Sequence, residues 1–138
     1  MIDFNNIIYI KSGDPRRILI NNEIKEYVVA EVNVKLNIER CKHIIVDYSV
    51  NVDSNDINFF RPLDFKLYKI SKNFIPQPIG STRNIIIIPQ IINIQSFFLC
   101  DYEVSEENFK YIAVVENTNS ISSGIAILNN SNLRVTIF

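Results

Sequence analysis

The sequence predicts an all-β protein, an antiparallel β-sandwich of about eight to ten strands. Apolar residues recur at every second position, which is the period of a strand and not of a helix. They are also of the strand-forming kind, since Ile and Val dominate and nine Phe and six Tyr accompany them. Asn is abundant, whereas Gly occurs only three times in 138 residues. Asn is therefore expected to form many of the turns.

The clearest strand patterns lie in the first half of the chain. Over residues 28–38 one face is apolar and the other polar, as in a half-buried strand of an antiparallel sheet. Residues 44–52 repeat this alternation, and residues 39–42 between the two segments predict a hairpin loop. Two shorter apolar runs, residues 7–10 and 17–20, precede them, and each is expected to be a strand.

The second half continues the same pattern. Further strands are predicted over residues 65–70, 84–88, 94–100, 109–116, 125–128 and 133–138. Both faces of residues 94–100 are fairly apolar, which predicts a central, covered strand. Residues 74–80 contain two Pro and are expected to be irregular or an edge. The Asn-rich residues 129–132 are expected to be the turn between the last two strands. Because no linker divides the chain, it is expected to form a single domain.

Charge and hydropathy exclude several classes of partner. The net charge is -1 and the pI is about 5.8, whereas nucleic-acid-binding domains usually carry a basic face. The longest apolar run, residues 85–88, is closed by Pro89 and is too short to cross a bilayer. Asp3 interrupts the N-terminal segment, where a secretory signal needs a continuous apolar stretch. We therefore expect a protein made in the cytoplasm, with no nucleic-acid or membrane partner.

The sequence offers little catalytic or metal-binding chemistry. His43 is the one histidine, and with Cys41 and Cys100 it supplies three soft side chains, without the paired spacing and four ligands of a structural zinc site. Cys41 and His43 are also too close on an extended strand to act as nucleophile and base. The carboxylates of residues 53–56 and 101–107 lie in turn-like stretches. We predict no enzyme, no metal site and no cofactor.

The two cysteines leave their oxidation state open. Cys41 and Cys100 could form one disulfide, within a chain or between two chains. In a reducing cytoplasm both would be thiols. If the assembled protein later meets an oxidising exterior, Cys41 and Cys100 are candidates for an inter-subunit disulfide.

Two apolar segments are candidate subunit-interface strands. Their residues are Ile7, Ile8, Tyr9 and Ile10 near the N-terminus, and Ile85, Ile86, Ile87 and Ile88 in the middle of the chain. An apolar strand at an edge can pair with a strand of another chain, which is β-augmentation. The other interpretation is that both are ordinary core strands. We divide the chain accordingly into residues 1–16, with a candidate donor strand, and residues 17–138, the sandwich domain.

An ordered series of motifs resembles a known family. The series consists of a Phe-x-Leu-x-Lys strand at residues 65–69, a Pro-Ile-Gly-Ser turn at 78–81, a Phe-rich strand ending in Cys-Asp at 96–101, and Tyr-Ile-Ala-Val at 111–114. It resembles small, often Cys-rich domains of unknown function from anaerobic spore-forming bacteria, over residues 7–138. The chain departs from them at residues 10–14, where a Cys-Gly-rich segment is absent, and at residues 102–105, which lack further cysteines. Extensive disulfide cross-linking is therefore not expected.

The resemblance implies a role as well as a fold. The family looks like spore-surface material and is similar in size and strand pattern to the jelly-roll subunits of spore-appendage fibres. Those subunits associate through a donated N-terminal segment and an edge strand. The resemblance thus implies a jelly-roll sandwich that self-assembles, as a homo-oligomer or fibre, at the spore surface.

Two other functions remain open at this point. The first is a carbohydrate- or peptide-binding β-sandwich module, for which Tyr9, Phe59, Phe60 and Tyr102 are candidate exposed aromatics. The second is a viral or phage coat or tail protein with a jelly-roll fold. A fibre would indicate the spore-surface role, a closed shell or tail the viral or phage role, and a stable monomer that binds a ligand the binding module.

Overall fold

The computed structural model describes nine strands. The described residues are 7–12, 18–20, 26–36, 39, 43–54, 62–87, 93–103, 105–117 and 126–138. The strands are β1 (Ile7–Ser12), β2 (Ile18–Ile20), β3 (Glu26–Lys35), β4 (Ile44–Asp53), β5 (Pro62–Ile70), β6 (Pro76–Ile86), β7 (Asn93–Asp101), β8 (Asn108–Glu116) and β9 (Ala126–Ile137). No helix within these ranges is long and apolar enough to cross a membrane.

The strands form two antiparallel sheets. In the first sheet the order is β1-β9-β4-β7, with β2 also beside β9, and in the second it is β3-β8-β5-β6. The pairings are nested along the chain, because β5 pairs with β6, β4 with β7, β3 with β8 and β1 with β9. Such an antiparallel ribbon wrapped into two sheets is a jelly roll. The predicted all-β sandwich, the jelly roll and the number of strands are confirmed.

Strand β4 shows how the alternating sequence builds the core. Its inward side chains are no more than 1% exposed, and the side chains between them are half-buried. The buried set is Ile44, Val46, Tyr48, Val50 and Val52. Branched side chains at every second position give one continuous apolar face, which packs against the inner face of the other sheet.

One polar link crosses this core. The Tyr48 hydroxyl lies 2.8 Å from Ser131 Oγ on β9, and Ser131 Oγ donates to the Val29 carbonyl oxygen at 3.3 Å. Tyr48 and Ser131 belong to the first sheet and Val29 to the second. The link therefore satisfies two buried hydroxyl groups and joins the two sheets.

Strand pairing corrects two of the predicted turns. Residues 39–42 do not close a hairpin, because β3 pairs with β8 while β4 pairs with β7 and β9. The connection between β3 and β4 passes from one sheet to the other. Residues 129–132 are likewise no turn, since β9 runs through them as one strand. Ser49 pairs with Asn132 and Asn51 with Asn129, so β9 accommodates one extra residue as a bulge.

A second bulge changes which residues of β3 face inward. Val28 pairs with Val114 and Ala30 with Ala113, which leaves Val29 as the extra residue. Val29 and Ala30 are both buried, and Val28 is exposed. The alternation over residues 28–38 predicts Val28 on the apolar, inward face, and this position is wrong because the bulge reverses the alternation before Ala30.

Candidate functional site

Strand β7 is an unprotected edge of the first sheet. In the part of the chain that the structure describes, β7 pairs with β4 alone. Its residues 93–100 contain no charged residue and no Pro. Natural edge strands usually carry a charge, a Pro or a bulge that prevents pairing with another chain. The prediction that residues 94–100 form a central strand is therefore wrong, and no strand among the described residues occupies the free edge of β7.

The outer face of β7 presents large apolar side chains to solvent. Ile94 is 74%, Phe98 69% and Tyr102 73% exposed. The intervening positions on this face are Ser96 and Cys100, and the five residues together are called the β7 stripe. Phe98 lies opposite Asp47 and Ile94 opposite Asn51 on β4. These small polar neighbours are too short to cover the stripe, so the apolar surface remains exposed.

The inner side of β7 is fixed to the second sheet. Leu99 packs on Gly80 of β6, where a Cβ atom would lie 2.8 Å from Leu99 Cδ2. Gly80 also has a φ of 68°, a backbone conformation that residues with a side chain rarely adopt. At the end of β7, Asp101 is buried and accepts hydrogen bonds from Lys69 Nζ at 2.7 Å and from the Tyr111 hydroxyl at 2.6 Å. These contacts hold the stripe on a rigid support.

Aromatic rings continue the apolar surface beyond the strand. His43 stacks on Phe138, with ring centroids 4.9 Å apart, and lies 6.0 Å from the Tyr102 ring. A hydrogen bond between Tyr102 and Cys100 is the main cause that raises the pKa of Tyr102. Cys100 itself is an exposed free thiol. His43 is thus packed between rings, in a setting that extends the stripe toward Phe138.

Strand β6, one edge of the second sheet, is protected. It contains Pro76, Pro78 and Arg83. Residues 76–80 lie on an edge strand, as predicted, and residues 84–86, predicted as a separate strand, continue the same strand. Its register with β5 breaks between Phe65 and Leu67, where β6 carries additional residues around Gly80. Proline, charge and a bulge each discourage a further strand. Of these two edges, β7 is therefore the better candidate site.

The structure places the predicted residues 85–88 mainly inside the protein. Ile85 and Ile87 are buried in the chain's own core, whereas Ile86 is 67% exposed. Ile88 lies outside the described residues. Ile85 and Ile87 are therefore core residues, and the predicted interface role of the segment rests on Ile86 and the β6 backbone.

The predicted donor strand lies within its own sheet. Strand β1, which contains Ile7, Ile8, Tyr9 and Ile10, pairs antiparallel with β9, from Ile7 opposite Ile137 to Ser12 opposite Asn132. Side chains of β1 lie outside the described part of the chain. Donation of this strand to a neighbouring subunit stays a prediction.

The cysteines and potential metal ligands can be placed only in part. Cys41 lies outside the described residues, and Cys100 lies on the β7 stripe. The predicted inter-subunit disulfide through Cys41 or Cys100 stays a prediction. Among the residues that the structure describes, no group of three or more His, Cys, Asp or Glu side chains could hold a metal ion.

Comparisons with known proteins support the fold alone. No protein family and no curated protein matches the sequence. Solved structures of infectious bursal disease virus do resemble it. Its T=1 particles match with a TM-score of 0.72 and 12% identity, covering 97% of this chain and 32% of theirs. The VP2 subviral particle matches with a TM-score of 0.70 and 13% identity, covering 97% and 33%. The chain thus spans about a third of the length of these capsid proteins.

Proposed function

We propose that this chain is a non-enzymatic structural domain that associates with further copies of itself through β7. The observation that carries the proposal is the β7 stripe, which places large exposed apolar side chains along an edge strand. Exposed apolar surface is normally kept small on monomeric proteins and is typical of interaction sites. An edge strand without charge or Pro over residues 93–100 favours pairing with another strand.

The order of residues along the stripe favours a second copy as the partner. Its large side chains, Ile94, Phe98 and Tyr102, are separated by the small residues Ser96 and Cys100. If two β7 strands pair antiparallel about Phe98, each Ile94 lies opposite Tyr102 of the other copy. Each small residue then lies opposite a small one. This two-fold arrangement is self-complementary, as a symmetric dimer interface requires.

Two observations favour two different forms of the larger assembly. The structural neighbours come from virus particles, which favours a closed assembly of jelly-roll subunits. The motif series at residues 65–114 resembles spore-surface domains, which favours a fibre or surface layer on spores. Self-association is common to both, and we propose it as the function. Micrographs of the assembled protein distinguish a shell from a fibre.

The oligomeric state tests the proposal directly. We expect the wild-type chain to associate in sedimentation experiments as its concentration rises. Phe98→Glu places a charge at the centre of the interface and should leave a monomer. Ile86→Glu is the matched control, because Ile86 on β6 is 67% exposed and Phe98 is 69% exposed. It should associate like the wild type, and both variants should keep the wild-type circular dichroism spectrum.

Other outcomes would overturn the role of β7. A wild-type chain that stays monomeric at high concentration removes self-association altogether. If Ile86→Glu yields the monomer and Phe98→Glu does not, the interface lies at β6. If deletion of residues 1–10 abolishes association while Phe98→Glu has no effect, the N-terminal strand is the connecting element.

A further inference from the structure

A shallow hollow that shares no residue with the β7 stripe has the composition of a ligand site. It has a volume of about 470 Å³ and lies between the ends of β3 and β5, the start of β8 and the turn that follows β5. Its lining includes Lys35, Lys72, Lys110, Asn33, Asn108 and Phe74. This volume falls within the range of small-molecule sites. We call it the lysine hollow.

Phe74 lies at the hollow with an exposed ring and an unfavourable backbone conformation. It is 83% exposed and has a φ of 58°, in the left-handed region that favours glycine. Its N–H donates to the Ser71 carbonyl oxygen at 3.0 Å, and Asn73 Oδ1 accepts from the Ile75 N–H at 3.3 Å. The turn is thus well defined. An exposed Phe with a left-handed backbone does not stabilise the fold. Residues with such strained backbone conformations often lie at functional sites.

The charge of the hollow contrasts with that of the whole chain. The chain has a net charge of -1, yet three lysines line the hollow, and none of the described lining residues is acidic. Several acidic residues lie at its border. Glu31 lies 3.8 Å from Lys110 Nζ, with both side chains well exposed, and the Glu106 carboxylate accepts the Lys72 backbone N–H at 3.3 Å. The lining taken alone thus carries the positive charge that an anionic ligand needs, and such a ligand would compete with these carboxylates for the ammonium groups.

We infer that the lysine hollow binds an acidic saccharide. The exposed Phe74 ring offers a flat apolar face to the C–H groups of a sugar ring. Lysine ammonium groups form charge-assisted hydrogen bonds with a carboxylate or sulfate. Asn33 and Asn108 supply amide donors and acceptors for hydroxyl groups. A nucleic acid would need a broader basic surface than three lysines on an acidic protein provide.

Isothermal titration of the full-length chain tests this inference. The probes are sialyllactose, a hyaluronan tetrasaccharide and a sulfated heparin disaccharide, with lactose as the neutral control and inorganic sulfate as the control for a bare anion. We expect at least one acidic saccharide to bind about tenfold or more tightly than lactose and sulfate do. Phe74→Ala and Lys72→Ala should each weaken that binding by about tenfold.

Matched variants outside the hollow complete the design. Tyr27→Ala removes an exposed aromatic ring on β3 and Arg83→Ala an exposed cation on β6, and both should bind like the wild type. Equal binding of lactose and the acidic sugars overturns the inference, as does sulfate binding as tight as that of the saccharides. Unchanged binding by Phe74→Ala has the same consequence. Because none of these residues lies on the β7 stripe, the result is independent of self-association.

Discussion

Lys69 Nζ lies 2.7 Å from Asp101 Oδ2 and connects β5 of the second sheet to the end of β7 in the first. Both side chains are at most 10% exposed. Lys69 also donates to the Glu103 carbonyl oxygen at 2.7 Å and lies 4.6 Å above the centre of the Phe109 ring. The Tyr111 hydroxyl donates to the same carboxylate oxygen of Asp101. Each buried charge is thus paired and hydrogen-bonded, as its burial requires.

Removal of Asp101 should strongly destabilise the protein. Asp101→Ala leaves the Lys69 ammonium and the Tyr111 hydroxyl without their buried acceptor, and we expect a loss of about 3–5 kcal/mol in the free energy of unfolding. Urea denaturation measures this loss. Glu116→Ala breaks the more exposed ion pair with Lys66 and serves as the control, with an expected loss of about 1 kcal/mol or less. Equal losses in the two variants would contradict a special role for the buried pair.

Gly80→Ala should destabilise the contact between β6 and β7. Its φ of 68° costs a side chain about 1–2 kcal/mol, and the new Cβ would lie 2.8 Å from Leu99 Cδ2. In a Leu99→Ala background the steric part disappears and the backbone part remains. The substitution should therefore cost less in that background than in the wild type, as a double-mutant cycle of unfolding free energies would show. Equal costs in both backgrounds would mean that Leu99 moves aside freely.

The buried phenol of Tyr48 should make stability decline at alkaline pH. Burial raises the pKa of Tyr48 above its ordinary value of 10.0, so the folded state holds the phenol proton more tightly than the unfolded chain does. This contribution is complete below pH 10 and is lost as the pH rises further, at up to about 1.4 kcal/mol per pH unit. Tyr48→Phe lacks the proton. Its unfolding free energy should therefore decline less steeply than that of the wild type, and parallel curves would exclude this origin.

A new cysteine can report the register of the proposed β7 pairing. In pairing about Phe98, Ser96 of one copy faces Cys100 of the other, so Ser96→Cys should yield a covalent dimer on oxidation. Cys41→Ser in all variants removes the second native thiol. Non-reducing electrophoresis detects the dimer. Ser105→Cys, at an exposed position outside β7, is the control and should cross-link much more slowly.

The native Cys100 thiol alone should not cross-link two copies in this register. In that register the two Cys100 residues lie four positions apart along the strands, about 13 Å, which is beyond the reach of a disulfide. Cys41→Ser alone should therefore stay monomeric under oxidation on a denaturing gel. A dimer formed through Cys100 alone would instead place the two-fold axis at Cys100.

Phe74→Gly should stabilise the fold. Glycine adopts the left-handed conformation of this turn freely, although it gains entropy in the unfolded chain, so we expect a rise in unfolding free energy of up to about 1 kcal/mol. Phe74→Ala keeps the unfavourable φ and should show no such gain. Thermal and urea denaturation measure both variants. A less stable Phe74→Gly protein would mean that the ring itself contributes to folding.

The sequence pattern predicted the strands and their inward faces where these depend on local alternation. Strand β4 was predicted almost to its ends, because every second residue from Ile44 to Val52 is apolar and faces the core. The partners of β4 were not predictable in this way, since β7 and β9 come from distant parts of the chain. The bulges at Val29 and between Asn129 and Asn132 were not predictable either, because an extra residue shifts the alternation without changing the composition.

The candidate sites were harder to predict than the fold. Residues 94–100 are apolar on both faces, and this pattern indicates a covered strand as well as an exposed interface. The lack of any charge in residues 93–100 was the available signal for an unprotected edge. Phe74 gave no signal, because Phe is not a residue typical of a left-handed turn. Lys35, Lys72 and Lys110 become neighbours only through the pairing of distant strands.

The nested strand pairing also governs how this protein folds during synthesis. Strand β9 pairs with β1, β2 and β4, so the first sheet cannot close until residues 126–137 have left the ribosome. Until then β1 and β4 expose strand edges to other nascent chains. Contacts between distant residues form slowly because the intervening chain must first lose conformational entropy. Slow, aggregation-prone folding is therefore expected, and a chaperone that shields β1 and β4 should raise the yield.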